Sequence, residues 1–400
     1  MKKTLLSIFL GLFLNQSHAS YSWQQLSSLP SYGRLGASGF AIGNKIYFGF
    51  GDFNALYQYN DLWEYDPQLN TWTQKASLSG PSRVSACSFE INGYGYVGLG
   101  WSAYSNSTAF NSFYRYDPVN NNWNTISNFP GAARGNAVSF VINGIAYVGL
   151  GYAPLHSDFY KYNPLTNQWS AISNFPGGGR QSSSTFVLNN YGYVYGGSDG
   201  NSMVSSMLRY DATLDSWTIR NNGPYIVGAA TNFVIDNTAF LGCGTDGSLT
   251  GLQNFYQYND VTDNWILIAP FPGLPVYALR AVTIGNTAYC FGGGDAVVGY
   301  YSNELWKFSM ITGIENNTTD AIKTIYNNSG KYIDVFMSDE IKNCTFNLYN
   351  LNGQLLYSEN ISEGNHRISL SHLSLTSGIY IYKISGKESM DYLAEKIAVN

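Results

Sequence analysis

Short apolar stretches alternate with polar, glycine-bearing turns along most of the chain, and the alternation recurs with a period near fifty residues. The clearest copy runs from position 134 to 169, RGNAVSFVINGIAYVGLGYAPLHSDFYKYNPLTNQW. Within it, residues 140–142 and 146–148 predict two strands. Between them lies Asn143-Gly144, a pair suited to the positive φ angles of a tight hairpin. Residues 159–162 predict a third strand, ended by Asn163-Pro164, where proline fixes φ and the Asn side chain can bond its own backbone. The chain then returns through a fourth strand around Trp169.

Two columns of large side chains mark the copies. Trp23, Trp72, Trp123, Trp169, Trp217 and Trp265 are spaced by 46 to 51 residues. Trp63, Tyr114, Tyr160, Leu208, Tyr256 and Trp306 form an independent column, each two residues before a Tyr or Phe that ends the third strand. Glycines follow every second strand, as at Gly49/Gly51, Gly149/Gly151 and Gly292/Gly293. A lone four-stranded sheet with apolar residues on both faces cannot bury them, whereas radial stacking of six sheets buries both faces and closing the ring removes free ends. The last copy has its third strand near Leu305 but no Trp after it. Residues 21–26, with Trp23, match the missing strand, so the N-terminal strand is expected to close the ring.

These features resemble the kelch repeat, over roughly residues 21 to 310, with the family's Gly-Gly spread to Gly-x-Gly in four of the six copies. The resemblance implies an all-β fold: a six-bladed kelch β-propeller of four-stranded blades around a central channel. After Phe308 the pattern changes. Residues 313–321 read as a polar linker, and residues 331–336, 344–350, 354–359, 366–370, 378–385 and 390–399 predict strands of a small C-terminal β-sandwich, with a hairpin turn at Leu351-Asn352-Gly353. Phe346-Asn-Leu-Tyr-Asn-Leu-Asn-Gly-Gln-Leu-Leu356, Ser377-Gly-Ile-Tyr380 and Lys396-Ile-Ala-Val399 resemble the C-terminal sorting domain of the type IX secretion system. That resemblance implies cargo of the type IX secretion machinery of Bacteroidetes-type bacteria, secreted or held at the outer cell surface. The expected domains are a signal peptide at 1–19, the propeller at 20–312, the linker at 313–321 and the sorting domain at 322–400.

Composition narrows the function classes. Charged residues are 12%, aromatics 16% and the net charge is -5, so the chain has no basic footprint for nucleic acid. Lys2 and Lys3 precede an apolar run and Ser17-His18-Ala19, which predicts a secretory signal peptide; the run is too short for a stable membrane span. Cys87, Cys243, Cys290 and Cys344 are too scattered for a disulfide framework and read as small buried apolar residues. His156 is the one propeller histidine, which cannot supply the two-His copper site of kelch-type oxidases, so no metal and no cofactor are expected.

No residue is assigned a catalytic role. Arg34, Arg83, Arg134 and Arg180 recur eleven residues after successive tryptophans, each at the start of a first strand. As a ligand-binding arc they would focus positive potential over the channel mouth; as scaffold they would bond carbonyls of the neighbouring blade. Arg280 breaks the repeat, standing where other copies have Ser38, Cys87, Val138, Ser184 and Thr231, and calls for a partner or a ligand; in an enzyme, Arg280 with an Asp such as Asp295 could hold an anionic sugar during acid/base chemistry. Trp101 with Tyr104, Tyr152, Tyr300, and Phe53 with Tyr57 fall in variable loops on the same expected face, beside His156. Arginine beside aromatic rings suits an extracellular glycan or protein, making the expected function a non-catalytic binding module. The alternatives are a metal-independent enzyme resembling the sialic acid mutarotases among kelch propellers, and an adhesion or matrix component.

Overall fold

In the computed structural model, the tryptophan and tyrosine columns lie on six separate four-stranded antiparallel sheets. The structure describes residues 21–54, 57–102, 108–248, 250–295, 297–310, 322–327, 331–337, 344–350, 354–362, 364–385 and 391–399. The expected signal peptide, the linker at 313–321, the Leu351-Asn352-Gly353 turn and Tyr104 lie outside them. The chain divides into two compact units between Met310 and Ile311.

Blade 3 shows how the repeat folds. Val138–Ile142, Ile145–Gly149, Phe159–Asn163 and Gln168–Ile172 are its strands from the inside outwards. The first hairpin starts two residues earlier than the apolar pattern suggested, because Val138 pairs with Gly149 and extends the ladder to the glycine. Asn143 and Gly144 both have positive φ, as the two-residue turn requires. The first strands of successive blades pack side by side around a ring, and Arg280–Ile284 of blade 6 packs beside Ser38–Ile42 of blade 1. Tyr21–Leu26 is the outer strand of blade 6, paired antiparallel with Leu305–Met310 so that Trp23 faces Phe308.

The core lies between blades, and the two columns explain why. Phe140, Tyr147 and Phe159 of blade 3 are buried in one cluster with Val194, Leu208 and Tyr210 of blade 4. The rings also carry polar tips that need partners once buried. Tyr162 Oη donates to Asn167 Oδ1 at 2.9 Å, the same oxygen accepts Ser127 N–H at 3.0 Å, and Trp169 Nε1 donates to the Ser127 carbonyl at 3.0 Å. One Tyr, one Asn and one Trp thus staple blade 3 to the end of blade 2. The indole bond recurs from Trp72 to Ser27, Trp123 to Ala76 and Trp217 to Ser173, at 2.7, 2.9 and 3.0 Å. All four cysteines are buried and free.

The second unit is a sandwich of two antiparallel sheets. One contains Ile322–Asn327, Tyr332–Met337 and Asn365–Ser369; the other contains Leu355–Ile361, Cys344–Asn350, Gly378–Ser385 and Asp391–Val399. Alternation places Ile333, Val335, Phe346, Leu348, Ile368 and Ile384 in its core. The strand Ile322–Asn327 was not expected from the sequence. Its short Ile-Lys-Thr-Ile-Tyr alternation directly follows polar linker residues, and its strand character comes from pairing with Tyr332–Met337.

Candidate functional site

The arginine column belongs to the scaffold. Arg34, Arg83, Arg134 and Arg180 are buried, and each donates through Nη1 to a carbonyl sixteen residues on: Phe50, Leu99, Leu150 and Gly196, at 3.2, 3.1, 3.2 and 3.4 Å. Phe50, Leu99 and Leu150 are the middle residues of Gly-x-Gly turns, Gly196 is the first glycine of the Gly196-Gly197 pair, and all four have positive φ, which frees their carbonyls from the sheet ladder. Arg34 also forms an ion pair with Asp61 at 2.6 Å, and Arg134 pairs with Asp158 through both carboxylate oxygens. Arg83 has Ser112 in place of the acid, and burial pulls its pKa down to about 10. Burial also lowers Arg180. The guanidinium groups bond their own blade; the link to the neighbour is the arginine's backbone carbonyl, as in Gly51 N–H to Arg83 O at 3.0 Å and Gly100 N–H to Arg134 O at 2.9 Å. The expected arc of ligand-facing arginines is thereby corrected. In blade 5 the column holds Val227, and Tyr225 Oη takes over, donating to the Cys243 carbonyl at 3.2 Å.

Arg280 differs, as its place in the repeat suggested. It lines the channel together with Ser139, Thr185, Thr231 and Asn232, around a cavity of about 190 Å³. Its Nη2 reaches over blade 1 to blade 2, donating to Ser88 Oγ at 2.8 Å and to the Ser88 carbonyl at 3.2 Å. Ser88 Oγ in turn donates to the Gly39 carbonyl at 2.8 Å and accepts Gly39 N–H at 3.1 Å, which fills the hydroxyl's capacity. Asp295, the acid suggested to share a ligand with Arg280, is engaged elsewhere: Oδ1 accepts Val297 and Val298 N–H, and Oδ2 accepts Gly251 N–H at 3.1 Å. It pins the Gly294–Asp295 loop to blade 5, opposite Tyr300. Tyr300 is half-buried against the core between blades 5 and 6.

Above Arg280 the channel mouth is a ring of left-handed residues, Gly36, Ser85, Asn136, Ser182, Ala229 and Ala278. Around it, each amide from Ser85 to Ala278 donates to the carbonyl of the preceding member at 2.8 to 3.1 Å. A cavity of about 120 Å³ at this ring is also lined by Arg280.

The face around the mouth carries the aromatic loops. Tyr32, Phe53, Tyr57 and Tyr59 line a cleft of about 360 Å³, in which Tyr32 is 69% and Tyr57 61% exposed. Tyr32 and Tyr301 flank Phe53 at ring-centroid distances of 5.6 and 5.2 Å, and Arg34 lies 4.2 Å from the centre of the Tyr59 ring. Phe53 and Tyr57 were visible as loop aromatics; Tyr32 and Tyr59 were missed. Tyr32 stands two residues before Arg34, where Pro81, Ala132 and Gly178 precede the other arginines, and that departure was the available signal. Trp101 and Tyr152 meet edge to face at 6.1 Å on the same face, and Gln58 Nε2 links the cleft loop to the Trp101 carbonyl at 3.3 Å. His156 is not an exposed base. Its Nε2 is buried without a partner among the described residues, and burial, then the Arg134 charge, lower its pKa against the opposing pull of Asp158.

Blades, Gly-x-Gly latches and an open channel define a six-bladed kelch-type β-propeller. The chain as a whole is such a propeller followed by a type IX secretion system C-terminal sorting domain, and that tail marks it for export to the cell surface or medium by the type IX machinery. Residues 324–400 match the family described as "Secretion system C-terminal sorting domain". The chain is 29% identical over 295 residues to Kelch-like protein 35 of Mus musculus, covering 74% of this chain and 40% of that protein. With Kelch-like protein 35 of Homo sapiens it shares 31% identity over 137 residues, covering 31% and 21% respectively. The chain therefore spans less than half the length of these relatives. The solved "Structure of YjhT" superposes with a TM-score of 0.57 at 17% identity, over 68% of this chain and 93% of that one, a likeness of fold alone. Deleting residues 322–400 is expected to leave the propeller folded but confined within the cell envelope. Fractionation and immunoblotting check this, and unchanged arrival at the surface or in the medium would contradict it.

Proposed function

We propose that the protein is a non-catalytic, exported binding module that holds an extracellular glycan in the cleft of Tyr32, Phe53, Tyr57 and Tyr59. The observation that supports this most is a solvent-open cleft walled by four aromatic side chains, two of them more than half exposed. Flat rings cover the C–H face of a sugar, while the tyrosine hydroxyls at their edges bond its hydroxyl groups. Monomeric proteins rarely leave such aromatic groups in water without a use. The arginines suit this reading as supports rather than contacts, since Arg34 stacks under Tyr59 and fixes one wall. A catalytic reading of the mutarotase type would need a carboxylate beside Arg280, and Asp295 has both oxygens committed to loop amides.

The test is a glycan array probed with the exported chain and with Tyr32→Ala and Tyr57→Ala. Each variant is expected to lose about tenfold or more in affinity for the glycans the parent binds, the scale of an aromatic hot spot. Thermal stability should hardly change, because both rings are largely exposed. Equal binding by parent and variants would remove the cleft from the site. No glycan binding by the parent, with capture of a defined extracellular protein instead, would transfer the face to a protein ligand.

A further inference from the structure

Two residues that line one cavity carry polar groups without partners. Arg280 Nε and Thr231 Oγ1 are both buried without a hydrogen bond among the described residues. Native interiors seldom leave such groups unpaired without a water, an ion or a ligand to complete them. The charge of Arg280 is also unanswered. None of the described ion pairs includes it. The cavity wall contains no carboxylate. Glu90 lies two residues beyond Ser88 on the same strand, and its Oε1 is engaged by Gly93 N–H at 2.6 Å in the far turn.

We propose that the channel just below its mouth is a binding site for a small oxyanion of about the size of sulfate, held by the Arg280 guanidinium together with Thr231 and Asn232. The bond from Nη2 to Ser88 holds the guanidinium at the cavity wall, so a ligand need not order it further. The other hydroxyls are already turned to the wall: Ser139 Oγ donates to the Ser88 carbonyl at 3.2 Å and Thr185 Oγ1 to the Ser139 carbonyl at 2.8 Å. A cavity of about 190 Å³ has room for one such ion with some water, and the second cavity lined by Arg280 opens it toward the mouth. An anion there would answer a buried charge shielded from bulk water, where pairing is stronger than in water. This site is separate from the aromatic cleft and stands independently of the glycan reading.

Sodium selenate is a suitable probe. Crystals of the exported chain grown with selenate are expected to show an anomalous peak within hydrogen-bonding distance of the Arg280 guanidinium. In solution, selenate at fixed ionic strength should raise the melting temperature above that in chloride, as any ligand specific to the native state does. Arg280→Met should abolish that difference, whereas Tyr57→Ala should keep it while losing glycan. A channel without an anomalous peak, or equal selenate stabilisation of parent and Arg280→Met, overturns the proposal. If Arg280→Met does not fold, the anomalous map of the parent protein decides alone.

Discussion

Removing residues 21–26 is expected to abolish cooperative folding of the whole propeller rather than to fray one blade. Tyr21–Leu26 supplies the outer strand of blade 6, and without it Leu305–Met310 becomes an open edge. The loss extends to the interface with blade 5. Trp23 packs against Phe255, Phe271 and Phe308 at centroid distances of 5.0, 5.3 and 4.8 Å, and Tyr21 stacks on Phe308 at 5.1 Å. The strand also leads into Ser27, which accepts the Trp72 indole and donates to Asn70 in blade 1. It therefore ties both ends of the repeat array together. Trp23→Ala alone is expected to cost about 2–3 kcal/mol, below the range for a fully buried aromatic because Trp23 is only partly buried against the core. Trp23 Nε1 has no partner among the described residues, so Trp23→Phe should recover most of that loss. Circular dichroism melts check both variants. A melting temperature for Trp23→Ala within about 2 °C of the parent would contradict the closure argument.

The scaffold was legible because the same contact is made repeatedly. A Trp that bonds the preceding blade and a Tyr that bonds an Asx five residues on must recur at the blade period, so periodicity reports them directly. Function leaves no such periodic trace. The arginine column was legible as a column but not as a purpose, since a ring of ligand contacts and a ring of carbonyl braces have the same spacing. Distances to Phe50, Leu99 and Leu150 separate them. Arg280 stood out as a departure, yet its partner Ser88 lies 192 residues away in sequence and is near only because the ring closes. Asp295 was attractive as an acid to share a ligand with Arg280, but an aspartate two residues before an amide bonds locally first, and Val297 takes it. Tyr32 was overlooked for a related reason: its cleft assembles from loops of one blade and the connection entering it, which no single repeat displays.

Arg134→Met is expected to destabilise the propeller by about 3 kcal/mol, the scale for breaking a buried ion pair by removing one partner. Two groups lose their partner at once. The Leu150 carbonyl, turned out of the ladder by a positive φ, loses the Nη1 donor at 3.2 Å, and the partly buried Asp158 carboxylate loses its counter-charge. Arg180→Met should cost less, because Arg180 bonds the Gly196 and Gly177 carbonyls at 3.4 Å and forms no ion pair among the described residues. Adding Asp158→Asn to Arg134→Met should restore part of the loss, since the unanswered charge is removed while the carbonyl remains unpaired. Urea unfolding of the four proteins measures the series. Glycan affinity below the melting transition supplies the second readout: scaffold arginines lower stability and leave affinity intact. Unchanged stability with lost affinity in Arg134→Met would return the arginine column to the ligand.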